Sequence, residues 1–159
     1  MSESKSAGTL GETLAEISNA LVRLHKRYYG KGPVRAKTFL VDNTVLCLFE
    51  GGFTIVERTL IDIGRDEVVR DLRHNFQLAM RDQYTDVVER GLGRKVLAYL
   101  SQVHTDPDIA VELFMLEPGE SGIVAEVTLE IEHEDAGPDS GLAAIRGRSA
   151  TSCDRASTA

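Results

Sequence analysis

The sequence predicts an α+β fold: a two-layer sandwich in which an antiparallel four-stranded sheet, built from two β-hairpins, carries helices on one face. Three observations lead there. Two long segments place apolar residues at helical spacing, and two pairs of short apolar runs are each joined by turn residues. The order of these signals is αββ, then a short helix, then αββ again, a pattern of hairpins and helices that suits a sheet covered on one side.

The first helix follows from Leu10, Leu14, Ile17, Leu21, Leu24 and Tyr28, spaced at steps of 4, 3, 4, 3 and 4 along one stripe. That spacing is close to a coiled-coil repeat, so the stripe is expected either to lie on the sheet or to form a partner-facing seam. Thr9 and Glu12 have capping-box spacing at its start. Gly30 falls where a left-handed residue would stop it. "VRAKTFLV" and "TVLCLFE" then read as strands around an Asp42–Asn43 turn, because both turn residues tolerate positive φ. Alternation puts Val34, Ala36, Thr38 and Leu40 on one face. The second run is apolar on both faces and belongs inside the sheet.

Gly51–Gly52 breaks the chain, and Thr54 with Glu57 repeats the capping-box pattern, opening a short helix to about Ile61. A long helix is predicted from about Asp66 to Arg90, with Val69, Leu72, Phe76, Ala79 and Val87 as its buried stripe and Gly91 as its stop. "KVLAYLSQV" and "IAVELFML" form the second hairpin; its tip, His104-Thr105-Asp106-Pro107-Asp108, has type I turn chemistry. The two halves correspond as helix, G-x-G, strand, turn, strand, which suggests a pseudo-repeated αββ unit. Residues 1–8 are expected to be a flexible N-terminus and 9–118 a single domain. In the extension, 119–159, a further strand is predicted over 122–131, with Ile123, Ala125, Val127 and Leu129 alternating. The rest is rich in small and charged residues and cannot bury enough surface to offset the cost of ordering it.

Composition narrows the function. The 159 residues carry a net charge of −7, mismatched to a nucleic-acid backbone, which calls for a basic footprint. No apolar run approaches the roughly 18 residues that span a bilayer, and "MSESKSAGTLGE" lacks the features of a secretory signal. Cys47 and Cys153 have no disulfide-framework or metal spacing, and Cys47, inside an apolar run, reads as a small buried hydrophobe. A cytoplasmic protein with no transmembrane segment of its own is the expectation.

The G-x-G stretches, Gly30 with Gly32 before Pro33 and Gly91 with Gly93, resemble phosphate loops. A phosphate loop precedes a helix, however, where free N–H groups and the positive dipole end meet the anion. Both stretches here follow one, so they are read as structural turns, with Lys31, Arg94 and Lys95 suited to the negative dipole end. Neither the dinucleotide nor the Walker pattern occurs. No nucleophile–base spacing, paired-carboxylate motif or metal spacing stands out, so no catalytic residue, metal or cofactor is assigned. The ligand-binding candidates are Arg70 and Arg73, one helical turn apart, with Arg94 or Lys95, as an anion receptor; His104, Thr105 and Asp106 at the hairpin tip could handle a metal or a proton. Pairing of the arginines with Asp66, Glu67 and Asp71 along the helix is the structural alternative, as turn-shaping is for Asp106.

Taken in order, "EISNALVRLHKRYYGKGP", "GGFTIVERTL" and "ERGLGRKVLAYLSQVHTD" are similar to the MpsC-like family of small bacterial proteins, over about Leu14 to Leu116. The chain departs from that pattern in the proline of its HTDPD tip and in the stretch after Pro118. The resemblance implies a non-enzymatic accessory or regulatory component of a Na+-translocating, membrane-potential-generating system, whose membrane partners are linked to bicarbonate uptake. It implies no catalytic residues, and a place peripheral to the membrane through a membrane-protein partner. The helical stripe adds the expectation of a homodimer joined through the first helix. The alternative is a small-anion or nucleotide-binding protein, conceivably an enzyme, using Arg70, Arg73 and the His104 tip.

Overall fold

The computed structural model describes residues 7–131, so the expected polar tail and Cys153 lie outside the described residues. Its elements are α1 (Ala7–Tyr29), β1 (Arg35–Val41), β2 (Thr44–Glu50), α2 (Ile55–Asp62), α3 (Asp66–Leu92), β3 (Val96–His104), β4 (Ile109–Leu116) and β5 (Val124–Glu130). The strands form one antiparallel sheet in the order β3-β4-β2-β1-β5. The apolar β2 sits at its centre: Cys47 faces Thr38 of β1 on one side and Glu112 of β4 on the other.

The sheet has five strands where four were expected. β5 pairs with β1 along its whole length, from Arg35↔Glu130 to Val41↔Val124. Without it the outer edge of β1 would present a row of unpaired N–H and C=O groups. Ala125, Val127 and Leu129 of β5 are partly buried and pack against the core, while its other face is exposed, so its apolar signal in the sequence is half-strength. Among the described residues β3 is the other edge strand, and the order α1-β1-β2 then α3-β3-β4 does not by itself establish the expected αββ repeat.

One face of the sheet packs on α1 and α3. Ala36, Thr38 and Leu40 of β1, Val45, Cys47 and Phe49 of β2, and Ala110, Phe114 and Leu116 of β4 are buried beneath them. Leu14, Ile17 and Leu21 of α1 are buried in the same core. The helical stripe is thus occupied within the chain itself, and the partner-facing seam expected for it is not available. Ser18 lies in this stripe too, accepting a 2.9 Å hydrogen bond from the Thr38 hydroxyl. The helix begins at Ala7, two residues before the expected cap, so Thr9 lies inside it and is not its N-cap. In α2 the expected capping box is present: Thr54 accepts from the Glu57 N–H at 3.2 Å and the Glu57 carboxylate accepts from the Thr54 N–H at 2.8 Å.

The buried stripe of α3 is rotated from the predicted one. Val69, Arg73, Gln77, Met80, Tyr84 and Val88 are buried, while Leu72 and Ala79 are exposed. Two polar residues on the inner face displaced the apolar pattern by about one position. The stop of α3 also differs. Gly93 is the left-handed C-cap (φ 63°), its N–H reaching the Glu89 carbonyl at 2.8 Å. Gly91 is still helical and serves a close approach instead, since a Cβ there would lie 2.5 Å from Ile17 Cγ1.

This contact generates a paired prediction. Gly91→Ala overpacks the α1–α3 crossing and is expected to destabilise by about 1–3 kcal/mol. Gly11→Ala, also within a helix but with nothing within 4 Å, is expected to stabilise by about 0.5–1 kcal/mol. Urea midpoints that move in the same direction for both variants would contradict the close-packing role of Gly91.

Candidate functional site

The middle of α3 presents two adjoining polar clusters, one sealed and one open. In the sealed cluster Arg73, 2% exposed, points into the core. Its Nε donates to Glu57 Oε1 at 2.5 Å and Nη2 to Glu57 Oε2 at 2.7 Å, a two-pronged pair that suits a planar guanidinium. Nη2 also donates to the Gly52 carbonyl at 3.0 Å and Nη1 to His25 Nε2 at 3.1 Å. The Tyr29 ring lies 3.8 Å from the guanidinium carbon and the Phe53 ring 5.0 Å from it. The charge is thus satisfied from α1, α2 and the β2–α2 loop together.

Because Arg73 can only donate, His25 Nε2 accepts, and the ring proton sits on Nδ1, which donates to the Lys31 carbonyl at 3.1 Å. Burial first, and the Arg73 charge second, hold the His25 pKa down at about 4. Burial works against ionisation of Glu57, but its bonds to Arg73 and to Thr54 outweigh it and keep the carboxyl below its ordinary range.

The open cluster lies between α3 and the edge strand β3. Across β3 and β4 Ser101 stands opposite Glu112, and Tyr99 opposite Phe114. Glu112 is 2% exposed, and its carboxylate accepts the Tyr99 hydroxyl at 2.5 Å. Burial raises the Glu112 pKa to about 7 against the opposing pull of Ser101, Tyr99 and Arg73. The Ser101 hydroxyl lies near the carboxyl but makes no well-formed hydrogen bond. Burial pushes the Tyr99 and Tyr84 phenols upward, and the neighbouring Glu112 adds to it. Above Tyr99 and Ser101, the α3 residues His74, Gln77, Leu78 and Arg81 complete a cavity of about 140 Å³. Their spacing of i, i+3, i+4 and i+7 puts all four on one side of the helix.

The predicted site residues are not brought together. Arg70 is on the surface of α3, 4.0 Å from Asp66, while Arg73 points inward. Arg94 lies at the far end of β3 from the His104 tip, donating to the Asp42 carbonyl at 2.9 Å, Asn43 Oδ1 at 2.6 Å and the Glu117 carbonyl at 2.5 Å. Lys95 is exposed beside it. Gly30 (φ 78°) stops α1, and the buried Gly32 and Pro33 lead into β1.

At the tip, His104 Nδ1 donates to the Pro107 carbonyl at 2.9 Å, and the Thr105 hydroxyl donates to Asp66 Oδ2 at 3.0 Å. The Asp106–Pro107 peptide is cis, a feature the type I reading did not anticipate. Thr105, Asp106 and Asp108 line a cavity of about 370 Å³ against α2, but Asp108 there accepts the Phe53 N–H at 2.9 Å. Among the described residues no group of His, Cys, Asp and Glu is arranged to hold a metal ion. Cys47 is buried, which raises its thiol to about 12.

Sequence reasoning missed Glu57, His25, Glu112 and the α3–β3 cavity. A signal existed for the inward turn of Arg73, which keeps the four-residue step from Val69 to Gln77 on the buried side of α3.

A family model described as the Na+-translocating membrane potential-generating system (MpsC) matches residues 9–118. The chain belongs to this family. It is also similar to an uncharacterized protein, YrhF, of Bacillus subtilis (strain 168), at 24% identity over 113 residues, covering 68% of this chain and 90% of that protein. No solved structure matches the chain.

The two titrating groups yield a pH prediction. His25, at about 4 folded against about 6.5 unfolded, adds stability above pH 6.5 that is lost as pH falls towards 4. Glu112, at about 7 folded against about 4.3 unfolded, has the opposite sign: its contribution is full below the unfolded value and is lost as pH rises towards 7. Between about pH 4.5 and 6.5 two slopes of about 1.4 kcal/mol per pH unit oppose each other, so wild-type stability is expected to be nearly flat. Glu112→Gln removes one slope, and its stability in denaturant titrations is expected to rise with pH across that window. A variant profile as flat as wild type would contradict the assignment.

Proposed function

We propose that this MpsC-family chain is a non-enzymatic accessory protein of the membrane-potential-generating system for which its family is named, acting by docking, and that it works as a homodimer. The family match supports the association with that system. The observation that carries the docking reading is the face of the sheet that no described helix covers.

On that face Leu100, Leu113, Leu46 and Phe39 form one row across four strands, and Val111 and Leu48 lie in the next. Leu100 is 57% exposed and Met115 40%. Five strands about 4.8 Å apart, each about seven residues at 3.3 Å, present on the order of 500 Å² in plan. That is near the size of one partner's share of a stable interface, about 800 Å² of accessible surface. An area of this order matches the largest patch of a typical monomer, which is often a functional one. The rim carries both signs, Arg35 with Glu130 at 3.0 Å and Lys37 with Glu126 at 3.9 Å. A mixed rim around an apolar centre is compatible with itself across a two-fold axis, so a second copy of the chain is the occupant this reading commits to. No described helix is long and apolar enough to cross a membrane; on this reading the dimer reaches the membrane through a membrane-protein partner. The anion reading built on Arg70 and Arg73 is not favoured, because every nitrogen donor position of Arg73 is engaged inside the protein.

Light scattering on the wild type is expected to give a dimer. Leu46→Glu combined with Leu113→Glu, placed on the open face, is expected to give a folded monomer. Native pull-down of the wild type is expected to enrich a polytopic membrane protein over a tag-only control. A monomeric wild type would overturn the homodimer. Absence of any membrane-protein enrichment from the membrane fraction would overturn the accessory reading.

A further inference from the structure

The α3–β3 cavity has a composition that neither the docking reading nor the family match uses. Gln77 is 7% exposed, yet its side-chain amide makes no hydrogen bond within the described residues. The Ser101 hydroxyl is buried with no hydrogen-bond partner. Buried polar groups are nearly always paired, so the Ser101 hydroxyl calls for a partner in this cavity, and the Gln77 amide beside it, whose atoms keep some solvent contact, is free to serve the same one. Arg81 and His74, on the same side of α3, also make no ion pair or hydrogen bond within the described residues.

The donor inventory sets the sign of that partner. Arg81 supplies five N–H donors, Gln77 two, and Ser101 one; His74 adds a ring N–H. Acceptors are fewer. The nearest carboxylate, Glu112, already receives the Tyr99 hydroxyl. A hard cation would need several converging oxygens and would meet the Arg81 charge. Size sets the rest: about 140 Å³ holds roughly four or five water-sized atoms at about 30 Å³ each. A nucleotide or similar cofactor needs a pocket of about 300–1,000 Å³.

We propose that the cavity between α3 and β3 binds a small oxyanion or carboxylate, with Arg81 as the charge partner and Gln77, Ser101 and His74 as hydrogen-bond donors. The floor adds a condition. Glu112 is faced by Tyr99 and Ser101 from β3, Arg73 and Tyr84 from α3, Cys47 from β2 and Tyr29 from α1. Its carboxyl, held at about 7, is neutral below neutrality and negative above it. An anion seated over it therefore binds better in mild acid, and binding takes up a proton at neutral pH.

The test uses formate, acetate and inorganic phosphate as probes in calorimetry and thermal-shift measurements, against chloride at matched ionic strength. At least one probe is expected to bind saturably at about pH 6, with a dissociation constant on the order of 1 mM, as suits a ligand of four or five atoms. Arg81→Gln and Ser101→Ala are each expected to weaken it about tenfold while leaving the circular dichroism of the free protein unchanged. Arg70→Ala, on the same helix but outside the cavity, is expected to leave binding as in wild type. For formate and acetate, which stay singly charged over this range, binding should weaken from about pH 6 to pH 8 in wild type and weaken less in Glu112→Gln. No saturable binding of any probe, equal stabilisation by chloride, or binding insensitive to both cavity variants would overturn the proposal. The site is independent of the dimer, so the open-face double variant is expected to bind the same probe equally well.

Discussion

The fold depends on one buried charge. Removing a guanidinium from water costs several kcal/mol unless paired and hydrogen-bonded in full, and Arg73 is 2% exposed. Its partners come from two helices and a loop: His25 and Tyr29 from α1, Glu57 from α2, and the Gly52 carbonyl before it. Such a charge tolerates few arrangements of its neighbours. The α2 turn has to place Glu57 facing inward, which its capping box with Thr54 already favours. One carboxylate thereby starts a helix and holds the core arginine.

The same constraint sets the rotation of α3. With Arg73 drawn inward, the helix turns Val69, Gln77, Met80 and Tyr84 towards the sheet and leaves Leu72 and Ala79 on the outside. His74, Leu78 and Arg81 then overhang β3, where the Tyr99–Glu112 pair lies below. The sealed cluster and the open cavity are therefore two consequences of one helix orientation. Both helices that cover the sheet lie on one side of it. The opposite face keeps Phe39, Leu46, Leu48, Val111 and Leu113 without helical cover, which is the basis of the docking reading.

Most of the fold was legible in the sequence because local signals and tertiary demands agree there. The hairpin turn at Asp42–Asn43, the Thr54–Glu57 box, the central place of β2 and the stop at Gly30 each rest on chemistry within a few residues. Where burial is polar, the apolar alphabet misleads: Leu72 and Ala79 looked like core, and Arg73 like a surface charge. Gly91 looked like a helix stop because its role, close contact with Ile17, is made by residues far apart in sequence. β5 was visible as an alternating run, but its partner strand was not, since pairing with β1 across the sheet leaves no local mark. The candidate cavity was the least legible part. Its lining comes from α3 and β3, two elements whose contact leaves no local mark in the sequence.

The central claim is that the Arg73–Glu57 pair fixes the helical layer. A double-mutant cycle of stability with Arg73→Met and Glu57→Gln tests it most directly, since glutamine preserves the capping geometry. Each single change strands one polar partner in the core and is expected to cost about 3–5 kcal/mol, while the double variant is expected to cost no more than either single one. Costs that simply add in the double variant would contradict the claim, because they would mean that the two side chains stabilise the fold independently.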